Sequence, residues 1–115
     1  MNSEYKQLTR QLSSTIGALR KDKPDVMSGF SSMANAAMED GVLDKKTKEL
    51  IALAIGVAGH CKGCIGFHIQ ALVKLGATQA EIEDTLGVAI YMGGGPSLMY
   101  AAEALQAFDE FQKGR

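Results

Sequence analysis

The sequence predicts an all-α fold, a single-domain bundle of about six helices, on three observations. Apolar residues recur at three- and four-residue steps along nearly the whole chain. No stretch alternates apolar and polar residues long enough to make a strand. Cap and turn residues divide the periodic pattern into six lengths.

Tyr5, Leu8, Leu12, Ile16 and Leu19 draw an apolar stripe on a first helix, which Lys21-Asp22-Lys23-Pro24 breaks. Pro24 suits the first turn of a second helix, because a proline there loses no hydrogen bond the helix would have made. Met27, Phe30, Met33, Ala34, Ala37 and Met38 form one side of that helix, which stops near Gly41. Asp44 is the expected N-cap of a third helix running from Lys45 to about Ala58. A fourth begins around Cys61 and reaches Leu75, with Gly76 placed to close it in the left-handed region. Thr78 and Glu81 make a capping box for a fifth helix that carries Ile82, Leu86, Ala89 and Ile90. Gly93-Gly94-Gly95 ends it, and Pro96 opens a sixth with Leu98, Ala102, Leu105 and Phe108. Residues 1–115 are read as one helical domain: an N-terminal helix and linker over 1–25, then a core over 26–110.

Composition narrows the function classes. Twelve Lys and Arg against 13 Asp and Glu leave a net charge of −1, without the basic footprint of a nucleic-acid binder. Two cysteines in 115 residues cannot staple a secreted scaffold. The N-terminus leads into an amphipathic stretch and not an apolar signal core. The longest apolar run, Leu50 to Gly59, is about half of what a membrane helix needs. A cytoplasmic protein that engages neither nucleic acid nor membrane is the expectation. Leu50 to Val57 is apolar on every helical face, however, and such a helix has to be buried all round. A small domain has few places for it, so a homo-oligomer is expected to cover it.

The two cysteines fall together, in Cys61-Lys62-Gly63-Cys64, and His68 follows one turn after the second. On a helix starting near Cys61, the residues Cys61, Cys64 and His68 share one face. A helix N-terminus favours thiolate over thiol, two sulfurs at this spacing are close enough to bridge, and His68 can take or return a proton. Glu49 stands twelve positions before Cys61 in an otherwise apolar helix. If the third and fourth helices form an antiparallel hairpin turning at Ala58-Gly59-His60, the midpoint between Glu49 and His68 falls in that turn. The two side chains then sit at one level on facing helices, which gives the buried carboxylate the partner it needs.

The pattern Glu49-x11-Cys61-x2-Cys64-x3-His68 resembles the signature of the alkylhydroperoxidase D-like branch of the carboxymuconolactone decarboxylase superfamily. The flanks agree: Gly41-x-Leu43, Lys48-Glu49-Leu50-Ile51, Leu75-Gly76-Ala77, Glu81-Ile82 and Gly93 to Pro96. The resemblance spans roughly Phe30 to Ala107 and implies an all-helical fold assembled as trimers or hexamers. It also implies roles: Cys64 as the thiol that attacks a hydroperoxide, Cys61 as the resolving thiol, and His68 with Glu49 as a proton relay. The implied partners are the hydroperoxide and an external dithiol reductant of the dihydrolipoamide or thioredoxin-like kind.

Two other readings stand beside this one. His60, Cys61, Cys64 and His68 could make a metal-binding or redox-sensing cluster in a helical module that is not an enzyme, although three of the four would come from a single helix. Lactone decarboxylase chemistry of the wider superfamily is the other, and it would need neither thiol. The leading reading calls for no cofactor and no metal. His60 is read as a turn residue. Lys45, Lys46 and Lys48 are read as a solvated first turn, the Gly93–Gly95 run as helix termination and close packing, and Tyr91, Met92, Met99 and Tyr100 as core or interface.

Overall fold

The computed structural model describes residues 3–113 as six α-helices with no strand among them. They are α1 (Glu4–Asp22), α2 (Pro24–Met38), α3 (Lys45–Ala58), α4 (Lys62–Lys74), α5 (Gln79–Gly93) and α6 (Gly95–Lys113). The local chemistry accounts for the boundaries. Asp44 accepts the Thr47 N–H at 2.8 Å at the start of α3. At α5, Thr78 Oγ1 accepts from Glu81 N–H while Glu81 Oε1 accepts from Thr78 N–H, the reciprocal capping box the sequence predicts. Gly76, at φ 78°, closes α4 through bonds from its own N–H to Val73 O and from Ala77 N–H to Leu72 O.

Helices α3 to α6 enclose the core, in which Leu53, Val57, Ile65, Ile69, Leu72, Ile82, Ala104 and Ala107 are among the buried residues. Helix α1 lies over α4 and α6. The approach to α4 is close because α4 presents glycines there: a methyl group on Gly66 would meet Thr9 Cγ2 at 2.8 Å and Tyr5 Cδ1 at 3.3 Å. The first turn of α1 has no side-chain cap of its own. The buried Glu110 of α6 supplies one, its Oε1 accepting the N–H of Tyr5 at 2.7 Å and of Lys6 at 3.3 Å. A carboxylate there satisfies backbone donors and meets the positive end of the helix dipole.

Two apolar faces stay outside the core of this chain. The apolar side of α2 is not buried: α2 has no buried residue, because it touches only α1 and, sparingly, α3. Helix α3 is not enclosed on all faces either. Leu53, Gly56 and Val57 face the core, but Ile51 and Ile55 point outward. Among the described residues, none covers these two side chains fully.

Candidate active site

The α3–α4 hairpin carries all four residues singled out in the sequence, joined as two pairs. Cys61 and Cys64 are joined as a disulfide, with Cα atoms 5.2 Å apart. Helix α4 begins at Lys62, so Cys61 is its N-cap, with extended backbone (φ −109°, ψ 97°), and its Sγ accepts the Cys64 N–H at 3.2 Å. An N-cap sulfur receives both an unpaired helix amide and the positive end of the helix dipole, so once the bridge is reduced this position favours thiolate. Cys64 lies in the first turn against α3, where the absence of a side chain at Gly56 makes room: a methyl there would come within 3.0 Å of Cys64 Cβ.

His68 and Glu49 meet across the hairpin, His68 Nδ1 lying 2.6 Å from Glu49 Oε1. Glu49 is 7% exposed, so an ionised carboxylate here needs its partner. Such a carboxylate only accepts, which assigns Nδ1–H as donor and leaves Nε2 as the ring nitrogen free to exchange a proton. His68 follows Cys64 by one helical turn and retains partial exposure.

Around this centre a single stripe of α6 holds the turn in place. Ser97 is fully buried against Gly93, whose own neighbour is Ala58 at the end of α3. Tyr100 stacks on His60, with ring centroids 4.9 Å apart and planes 6° from parallel. Glu103 pairs with Lys62 at 3.2 Å and accepts a hydrogen bond from the Tyr5 hydroxyl. Lys62 also reaches Glu4 at 2.8 Å and lies 5.6 Å over the Tyr5 ring. These hydrogen bonds, Glu4 first and Glu103 second, raise the Lys62 pKa, and Lys62 in turn lowers that of Glu4. Burial, reinforced by Glu103, pushes the Tyr5 phenol far up, so it stays protonated. The lysine inside the cysteine pair is thus committed to carboxylates on α1 and α6.

Nothing in the sequence pattern announces this clamp. Spacing within one helix can reveal Cys64 and His68, but Tyr5, Lys62, Glu103 and Glu110 lie too far apart in the chain to show periodicity. His60 is at a turn, as expected, yet it also stacks. The lysines before Glu49 are less solvated than predicted: Lys46 bridges to Glu81 at 2.7 Å, and Lys48 donates to Glu39 O at 2.7 Å. Among the described residues no group of three or more His, Cys, Asp and Glu side chains converges so as to hold a metal ion. No helix there is long and apolar enough to cross a membrane.

Comparison with known proteins gives a consistent family. Residues 24–107 match the family model of the carboxymuconolactone decarboxylase family. A crystal structure of a carboxymuconolactone decarboxylase family protein from Legionella pneumophila superposes with a TM-score of 0.95 at 58% identity, covering 96% of this chain and 99% of that one. A Thermotoga maritima protein of the same family superposes at 0.73 with 28% identity, over 85% of this chain and 89% of that one. An uncharacterized protein of Cupriavidus necator is 38% identical over 109 residues, covering 95% of this chain and 96% of the relative.

Proposed function

We propose, from the premise that this chain belongs to the carboxymuconolactone decarboxylase family, that it is a thiol-dependent peroxidase that reduces organic hydroperoxides through the Cys61/Cys64 pair. The observation that carries the reading is the alignment of a bridgeable cysteine pair with a carboxylate-held histidine one turn beyond it. A part in the antioxidative response is suggested for the Thermotoga maritima relative, which agrees in direction.

In the reduced protein His68 Nε2 takes the Cys64 thiol proton, and Glu49 stabilises the resulting imidazolium through Nδ1–H. The Cys64 thiolate attacks the terminal oxygen of the hydroperoxide. An S–O bond forms, the O–O bond breaks, and the alkoxide leaves with the proton from His68. Cys64 is then a sulfenic acid and the peroxide has become an alcohol. The Cys61 thiol gives its proton to the now neutral His68, its sulfur attacks Cys64, the S–S bond forms as the S–O bond breaks, and hydroxide leaves as water with that proton. Stabilisation of the Cys61 thiolate at the N-cap favours this second attack. An external dithiol of the dihydrolipoamide or thioredoxin-like class returns both electrons by thiol–disulfide exchange. Such cycling fits the reducing cytoplasm.

The test is quantification of the Cys61–Cys64 disulfide by mass spectrometry, starting from reduced protein, before and after one equivalent of an alkyl hydroperoxide. The bridge should form stoichiometrically. In Cys61→Ser the reaction should stop at a sulfenic acid on Cys64 that a dione reagent traps, and Cys64→Ser should consume no peroxide. Unchanged turnover in Cys64→Ser would refute the assignment.

The second part of the reading is assembly with copies of itself. It is supported by the apolar side chains left outward on α2 and α3 and by the small size of the chain.

A further inference from the structure

Helix α3 ends in a paired backbone closure, with Cys61 N–H bonded to Gly56 O at 2.9 Å and His60 N–H to Val57 O at 3.2 Å. This closure needs a left-handed residue between the helix and Cys61, a place where glycine is strongly preferred. The same protein ends α4 through the equivalent two bonds and uses Gly76 there, at φ 78°. It also places Gly94, at φ 77°, after α5. Before Cys61, however, the left-handed residue is His60, at φ 59°, the only non-glycine residue with positive φ among those described. A β-carbon in that region costs about 1 kcal/mol or more. A strained residue next to a reactive one points to a use for its side chain.

The ring of His60 supplies that use by lying flat on Tyr100 of α6. One residue beyond Cys61, Lys62 is held to Glu103, one turn further along the same helix. Cys61 is therefore fixed from both sides, by an aromatic stack before it and an ion pair after it. Its own backbone is extended and its sulfur is aimed at the first turn of α4, where it meets both the Cys64 amide and the Cys64 sulfur.

We propose that His60, acting through its stack on Tyr100, is a positioning residue that sets how readily Cys61 closes onto Cys64. The stack confines the turn to the one arrangement in which the Cys61 sulfur faces Cys64, so it raises the effective concentration of one thiol at the other and favours the disulfide. The inference rests on the bridge and not on the peroxide chemistry, so it can be tested in a protein that consumes no peroxide at all.

The experiment equilibrates the full chain with glutathione. Protein dithiol and one oxidised glutathione give protein disulfide and two reduced glutathiones, and the ratio is read by alkylation and mass spectrometry. His60→Gly should lower the equilibrium constant for bridge formation by about tenfold. Its thermal midpoint should stay level or rise, because glycine suits this backbone better, and a merely structural role predicts no change in the constant. Tyr100→Leu should lower the constant to a similar extent, and the double variant should be no lower than either single one, as expected of residues acting as a unit. His60→Phe, which keeps a flat ring for the stack, should restore the constant to within about twofold of the original. A His60→Gly protein whose constant stays within twofold of the parent overturns the proposal, as does failure of the phenylalanine variant to restore it.

Discussion

His68 Nδ1 and Glu49 Oε1 lie 2.6 Å apart, joining two residues nineteen positions apart in the chain across the α3–α4 hairpin. The contact solves two problems at once. It gives a nearly buried carboxylate its partner, and it leaves Nε2 as the ring nitrogen of His68 free to exchange a proton.

Replacing Glu49 by glutamine separates these two contributions. The amide oxygen can still accept from Nδ1–H, so the hairpin should keep its geometry and its thermal midpoint. The negative charge that stabilises the imidazolium is lost, and kcat/KM for hydroperoxide should fall by about a hundredfold. The measurement is peroxide consumption with saturating dithiol. A variant within a few-fold of the parent would mean that Glu49 serves only to hold the hairpin.

The sequence revealed this relationship because every step leading to it is local. Asp44 caps one helix and Cys61 the next, the glycines mark the turn, and the helical rise then puts positions 49 and 68 at one level. Gly76 and the Thr78–Glu81 box are legible for the same local reason. Contacts set by tertiary packing are not. Nothing near Lys62 in the chain announces that Glu4 and Glu103 will claim its charge, and nothing near Tyr5 announces Glu110. The exposure of α2 was hidden for a related reason. Amphipathic spacing shows that Phe30 and Met33 form a face, but it does not say whether that face meets this chain or another.

The approach of α1 to α4 should be sensitive at one glycine and tolerant at its neighbour. Alanine at Gly66 would press on Thr9 Cγ2 at 2.8 Å and on the Tyr5 ring, a short branched side chain and a buried aromatic that cannot swing away. This outweighs the gain in helix propensity, and Gly66→Ala should lose about 1–3 kcal/mol by urea unfolding. Alanine at Gly63 meets only Leu12 Cδ1, the end of a flexible and half-exposed side chain. That variant should be neutral to within about 1 kcal/mol. Equal losses at the two positions would mean that α1 is not docked as described.

The Lys62 clamp makes a prediction with pH. The Glu4 pKa is lowered from 4.5, chiefly by its hydrogen bond to Lys62. A carboxylate with a depressed folded pKa contributes stability that is present above its unfolded value and lost as pH falls through its folded one. The Lys62 pKa is raised from 10.5, so its contribution is present below that value and lost as pH rises through the folded pKa. The urea midpoint of the parent should therefore exceed that of Lys62→Met between about pH 5 and 10, and the gap should narrow below pH 4.5. Both groups are largely solvated, so the gap should also shrink with added salt. A gap that stays constant from pH 3 to 10 would assign the effect to the ammonium group's place over the Tyr5 ring instead.

The outward apolar residues predict an assembly with a definite vulnerable point. Val26, Phe30 and Met33 on α2 are 68%, 59% and 62% exposed, and Ile51 and Ile55 on α3 are 45% and 67% exposed. Burying a large apolar side chain completely contributes about 1.5–3 kcal/mol, so covering these faces in each copy is a favourable term that opposes the several kcal/mol association costs. Light scattering on the reduced 115-residue chain should return a multiple of 12.2 kDa, with three or six copies expected. Because α2 contributes nothing to the buried core of its own chain, charging it should break the assembly without unfolding the subunit. Phe30→Glu combined with Met33→Glu should shift the mass toward a single chain, while circular dichroism stays helical. A parent protein that already scatters as 12.2 kDa would leave α2 without a partner and sink the prediction.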